Sequence, residues 1–186
     1  LNVSRPAVSE MIKKLSEAKL IELRGTAISL TKDGNSLANQ VVRRHRLAER
    51  FLTDILGLSW AEAHHEAGKW EHVVSSRVEA AFLRLLEDPT TCPHGNPIPG
   101  TNYQTPEGTS SLCDVIVGTS FVVERIPEEL EFQPGLLEFL EDSKLIPGAG
   151  GKVTAVSPDG TTTVNMTGTQ VGVGAFASQR ILVSAT

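Results

Sequence analysis

His45 and Glu49 stand four residues apart in Arg44-His45-Arg46-Leu47-Ala48-Glu49-Arg50. On a helix that spacing puts both side chains on one face, within reach of a single ion. Taken alone, such a pair is more often a solvated ion pair than a metal site. A second set follows, because His64, Gly68, Glu71 and His72 fall at i, i+4, i+7 and i+8. One face of the next helix then carries two imidazoles and a carboxylate. Imidazole nitrogen and carboxylate oxygen suit divalent transition metals, and a face built this way gives up core burial unless something binds it. His65 and His94 lie off that face and are expected to be surface histidines.

Catalysis finds no candidate residues. The H-E-x-x-H signature of zinc hydrolases needs a histidine three places after the glutamate, and His65-Glu66 is followed there by Lys69. No G-x-G-x-x-G, P-loop, G-x-S-x-G or C-x-x-C pattern occurs. A metal-dependent hydrolase using Glu66 or Glu71 as base is the alternative that this missing spacing disfavours.

The elements that must position these residues are legible from periodicity. Ser4-Arg5-Pro6-Ala7-Val8-Ser9 is written like an N-capped helix start with proline in the first turn. Val8, Ile12 and Leu15 then form one apolar stripe, with Ser9, Lys13 and Lys14 outside it. Leu20 to Leu23 reads as a strand, Arg24-Gly25-Thr26 as a turn, and Ala27 to Leu30 as the returning strand. Helix followed by hairpin is the second half of a winged helix-turn-helix, so residues upstream of Leu1 are expected. From Thr31 a long helix is expected through Leu56, with Leu37, Val41, Leu47, Ala48, Phe51 and Leu52 on its apolar side and Gly57 ending it. Further helices fit Ser59 to about His72 and Ser75 to Leu86, the latter burying Val78, Ala81, Phe82 and Leu85. Helices outside a winged unit suggest a dimerisation region, since paired recognition helices must be spaced by a turn of DNA.

Between Asp88 and Ser111 the composition turns to Pro, Gly, Thr and Asn, which reads as a tether. Beyond it, strands are expected at Val115 to Ile126, Lys152 to Val156, Thr161 to Met166, Val171 to Val173 and Ile181 to Val183, with a short helix at Pro134 to Leu140. That is the pattern of a small β-barrel.

The net charge of -5 hides an asymmetry. Residues 1–50 hold ten Lys/Arg against five Asp/Glu, and residues 51–186 hold seven against seventeen. A local basic end can reach phosphates while the acidic remainder repels nonspecific contact. Cys92 and Cys113 are too few for a disulfide framework and are expected to be reduced thiols in a cytoplasm. No apolar run approaches the roughly 20 residues that span a bilayer, so no membrane partner is expected.

Taken in order, Ser4-Arg5-Pro6-Ala7-Val8-Ser9, Arg44 to Arg50, Trp70-Glu71-His72 and His94-Gly95-Asn96-Pro97-Ile98-Pro99-Gly100 resemble the diphtheria toxin repressor family of iron- and manganese-dependent regulators. The resemblance implies a homodimeric repressor of metal-homeostasis genes, activated by Fe2+ or Mn2+, that binds double-stranded operator DNA. It also implies two metal sites. An ancillary site would take His45, Glu49 and His64, completed by Glu128 and Glu131; the toxin repressor itself has an amide in place of the last. A primary site would take Glu71 and His72 with a ligand from an N-terminal helix, and Gly68 stands where iron regulators have Cys and many manganese regulators Glu. Only the Gly68 carbonyl can contribute. On the DNA side Ser4, Arg5, Pro6, Ser9, Glu10 and Lys14 match contacting positions, with Glu10 replacing a Gln, so the operator sequence is expected to differ. A winged-helix regulator sensing another signal is the remaining alternative.

The expected architecture is mainly α with small β. Residues 1–31 form the second half of a winged helix, 32–100 a helical dimerisation and metal-binding domain, 101–111 a Pro/Gly-rich tether, and 112–186 an SH3-like barrel.

Overall fold

The computed structural model describes residues 3–186, so the first two residues of the expected winged-helix unit lie outside it. Helix α1 (Arg5–Glu17) starts where its sequence says it should, with the Ser4 hydroxyl accepting from the Ala7 amide at 3.4 Å and proline in the first turn. It is followed by the antiparallel hairpin β1 (Ile21–Arg24) and β2 (Ala27–Leu30), closed at Gly25, whose φ of 62° favours glycine.

Thr31 then ties two elements together. Its hydroxyl donates to the Lys19 carbonyl at 2.7 Å and accepts from the Gly34 amide at 3.0 Å, capping helix α2 (Lys32–Arg50). The long helix does not run on as a regular α-helix. It passes into a π-helical turn (Phe51–Ile55) before Gly57 ends it at φ 71°. Helix α3 (Trp60–Trp70) begins with a full capping box between Ser59 and Glu62, and α4 (Ser76–Leu85) is capped by Ser75. Leu47, Ala48, Leu52, Ala63, Ala67, Val74, Phe82 and Ile98 form one core among these helices. Leu37, Val78 and Leu85, expected to be buried, are instead exposed at 46%, 43% and 54% in the single chain.

The second half comprises β3 (Thr109–Ser111), β4 (Ser120–Arg125), α5 (Glu128–Glu131), α6 (Leu136–Asp142), β5 (Gly150–Val156), β6 (Thr162–Met166), β7 (Thr169–Val173), α7 (Ala175–Ser178) and β8 (Leu182–Ala185). Three expectations are corrected here. The chain is mixed helix and sheet rather than mainly α, because eight short strands form among the described residues. The barrel does not close. The order is β3-β8-β4-β5-β6-β7, and the outer strands β3 and β7 are not paired with each other. Register shifts at Val123/Arg125 and Val153/Ala155 curl the sheet. Its first strand has only three residues, however, and Leu130, Leu137, Leu140 and Leu145 fill its apolar face, so the edges stay apart.

The third correction concerns the tether. Residues 92–96 and Ile98 are buried, and Thr109–Ser111 is strand β3. Three arginines on one face of α2, at i, i+3 and i+7, grip this loop by its main chain: Arg43 donates to the Pro99 carbonyl at 2.5 Å, Arg46 to that of Pro97, and Arg50 to that of Thr91 at 2.9 Å. Gly95, at φ 81°, lies so close to the Glu124 carbonyl of β4 that a Cβ there would collide with it. Trp60 of α3 belongs to the core of the sheet region, and its amide donates to Glu141 of α6 at 3.0 Å. At roughly 25 cal/mol per Å2, an indole that buries about 150–250 Å2 stabilises this junction by several kcal/mol. The two halves are packed together, not loosely strung.

Candidate metal centre

The site is assembled from three helices. Leu47, Ala48 and Leu52 turn one face of α2 into the core, and Glu49 goes in with them to 1% exposure, with His45 one turn earlier at the rim. Ala63 and Ala67 fix α3 against that face, which brings His64 opposite. The single turn α5 supplies Glu131. His45 Nε2 lies 3.1 Å from Glu49 Oε1 and 3.3 Å from His64 Nδ1, and His64 Nδ1 lies 3.0 Å from Glu49 Oε1 and 3.2 Å from Glu131 Oε2. One donor atom from each of the four falls within 4.8 Å of all the others.

The protonation of the cluster follows from that crowding. Burial alone would raise the Glu49 and Glu131 carboxyls, but hydrogen bonds from the imidazoles outweigh it and hold both below the usual carboxylate range. The same bonds, to Glu131 first and then Glu49, push His64 up to about 10. For His45 burial works against the charged form, and Glu49 overcomes it, so its value also rises. Without an ion the cluster is an imidazolium–carboxylate network. A divalent cation would take the place of those protons while leaving the oxygens and nitrogens where they are.

His94 corrects the sequence reading. It is fully buried, with Nδ1 3.2 Å from Glu131 Oε1 and 3.6 Å from Glu49 Oε1, and its ring meets Trp60 edge-on at 4.6 Å. Cys92 Sγ lies 3.8 Å from the same nitrogen, and Glu49, Cys92 and His94 form a second close donor group. Burial, then the Glu49 charge, pushes the Cys92 thiol well up. Two buried polar atoms here lack a partner, Glu49 Oε2 and His94 Nε2. Asn96 completes the wall by donating to Glu131 Oε1 at 2.7 Å and to the Ile126 carbonyl at 2.8 Å, while accepting from Arg125 at 2.7 Å. Neither Cys92, His94 nor Asn96 stood out by spacing as a site residue. The sequence signals were a Cys-x-His pair, in a segment whose composition reads as a tether, and the likeness of His94 to Gly100 to the repressor family, which assigned these residues no role.

The remaining expected residues are placed less uniformly. Glu128 lines a cavity of about 400 Å3 with His45, His64 and Gly68, but its carboxylate pairs with Arg46 at 2.8 Å and does not join the four-donor set. Glu71 Oε1 lies 3.2 Å from His72 Nε2, and Glu71 Oε2 lies 2.7 Å from His45 Nδ1. No third His, Cys, Asp or Glu among the described residues completes a set with Glu71 and His72. Gly68 faces open space, with nothing within 4 Å of where a Cβ would stand. His65 is exposed, as expected. On α1, Ser4, Arg5, Pro6, Ser9, Glu10 and Lys14 are all exposed, and Lys14 pairs with Glu10 at 3.5 Å.

An exposed helix followed by a hairpin, joined to a buried His/Glu donor cluster, defines the class: a metal-responsive DNA-binding regulator. Residues 31–100 match the family model of the iron dependent repressor, metal binding and dimerisation domain. The chain is 36% identical over 177 residues to the iron-dependent repressor IdeR of Mycobacterium tuberculosis H37Rv, covering 85% of this chain and 77% of that protein. It is 43% identical over 101 residues to the diphtheria toxin repressor of Corynebacterium diphtheriae, covering 54% of this chain and 45% of that one. A solved manganese-dependent transcriptional repressor in complex with manganese superposes with a TM-score of 0.83 at 34% identity, covering all of this chain and 86% of that one. The chain belongs to the diphtheria toxin repressor family of metal-dependent transcriptional repressors, which are DNA-binding regulators and not enzymes. No helix among the described residues is long and apolar enough to cross a membrane.

Proposed function

We propose that this chain, as a homodimer in the cytoplasm, represses metal-homeostasis genes by binding double-stranded operator DNA when its His/Glu cluster holds Fe2+ or Mn2+. The observation that carries the reading is the convergence of His45, Glu49, His64 and Glu131 from three separate helices on one point. Their two nitrogens and two carboxylates match what ferrous iron and manganese accept. Bound there, the ion supplies positive charge that balances Glu49 and Glu131. The residues themselves do the structural work: α2 and α3 present the imidazoles, and Glu131 brings the sheet region against them. Glu128, on the cavity wall, is available to join if it leaves Arg46.

Glu71, His72 and the Gly68 carbonyl form the second, activating set. With no thiol at Gly68, this set is made only of hard and borderline donors, which suits manganese as well as iron. Cys92 and His94 form a second donor group with Glu49 and extend the donor choice toward softer ions. In the DNA-binding unit, α1 buries none of its residues and offers Ser4 and Pro6 to bases, Ser9 and Lys14 to phosphates, and Arg5 as a further DNA contact, with Glu10 accepting only. Residues 32–100 carry dimerisation and metal binding, and residues 112–186 the SH3-like unit.

Fluorescence anisotropy with labelled operator, at fixed ionic strength, tests the reading. Binding is expected with Mn2+ or Fe2+ and to disappear with chelator. Equal affinity in both conditions would overturn it.

A further inference from the structure

Glu71 reaches in two directions at once. Its Oε1 lies 3.2 Å from His72 Nε2, within its own set, and its Oε2 lies 2.7 Å from His45 Nδ1, the shortest contact any imidazole of the cluster makes. The helix end explains this. Glu71, the residue that caps α3 at its C-terminus, follows His64 by seven residues and keeps helical backbone angles, so both side chains reach His45 of α2. Gly68 lines the cavity beside them without a side chain, and leaves that space unfilled.

A carboxylate only accepts hydrogen bonds, so the proton on this contact belongs to His45 Nδ1. An imidazole that keeps its proton on Nδ1 offers its lone pair at Nε2, and Nε2 is the atom that faces Glu49 and His64. The His45 and Glu71 side chains are only 16% and 19% exposed, so water competes weakly for the bond.

We propose that Glu71 is a positioning residue for His45, fixing its tautomer and ring orientation toward the four-donor centre, so that one carboxylate serves both metal sites. The proposal rests on the reading of His45, Glu49, His64 and Glu131 as a metal centre. Because each carboxylate oxygen has its own imidazole, holding His45 leaves Oε1 free for the Gly68–His72 side. The two sites are therefore linked through a single side chain, and any effect of binding at one on affinity at the other is mutual.

The test removes the second set first. In a His72→Ala background, Mn2+ titration calorimetry and Co2+ absorption report on the four-donor centre, since His72 touches none of its members. Adding His45→Ala should abolish the remaining site. Adding Glu71→Ala should weaken it about 10- to 100-fold, with an altered Co2+ spectrum, and Glu71→Gln, whose amide oxygen still accepts from Nδ1–H, should restore most of the affinity. If His45→Ala leaves the site intact, the four-donor reading fails and takes the proposal with it. If His45→Ala abolishes binding but Glu71→Ala stays within twofold of the parent, the proposal alone is overturned. Equal losses for Glu71→Ala and Glu71→Gln would overturn it too. Circular dichroism of each metal-free variant confirms that the helices are formed.

Discussion

At the scale of single residues, the donor cluster holds protons until metal replaces them. His64 sits at about 10 in the fold against an ordinary 6.5, because Glu131 and Glu49 favour its charged form. A group raised in this way contributes its full stability below its unfolded value and loses it as pH climbs through its folded value. Metal-free protein should therefore lose stability steadily between about pH 6.5 and 10, and His64→Gln should flatten that slope. Urea midpoints in chelator, taken across that range, check this. A divalent ion must displace the same protons, so the calorimetric heat of Mn2+ binding at neutral pH should vary with the ionisation enthalpy of the buffer. The helical half of the cluster was legible because His45/Glu49 and His64/Glu71 repeat at helical spacing, which is a local property. His94 was not legible, because nothing next to it in sequence indicates that the arginines of α2 and the backbone of β4 enclose it.

At the scale of elements, the loop from Thr91 to Gly100 joins the two halves. Asn96 makes three hydrogen bonds there, to Glu131, to the Ile126 carbonyl and from Arg125. Asn96→Ala leaves these groups buried and short of a partner, at a cost of about 2–3 kcal/mol. In a chain of this size that lowers Tm by roughly 5–10 °C, and Mn2+ affinity should fall with it because Glu131 loses the amide that orients it. Differential scanning calorimetry and metal titration of the one variant check both. Helix starts were predictable to within a residue at Ser4, Thr31, Ser59 and Ser75, since each cap is a local hydrogen bond. The one-turn helix α5 was not, because four residues carry no periodicity, and Glu128 and Glu131 entered the reading by resemblance alone.

At the scale of the whole molecule, the helical half leaves an apolar face uncovered. Val73, Val78 and Leu85 are exposed at 77%, 43% and 54% in the single chain, a pattern that suits a second copy. Val78→Asp combined with Leu85→Asp should give a monomer in sedimentation velocity and abolish operator binding, with metal affinity nearly unchanged because neither residue belongs to the donor cluster. The same face explains an error at sequence level, since helical periodicity identifies an apolar stripe without saying whether its own chain or another covers it.

The arginine grip on the loop has one more consequence. Arg43, Arg46 and Arg50 hold main-chain carbonyls, which every amino acid possesses, and apart from the Thr91 hydroxyl, 3.4 Å from Arg50, they touch no loop side chain through these bonds. The clasp therefore does not itself depend on Cys92 or His94, although any replacement for His94 must fill the buried space against Trp60. The scaffold thus separates where donors stand from which donors they are, and a lineage can retune its preference among metals by single substitutions while keeping its shape.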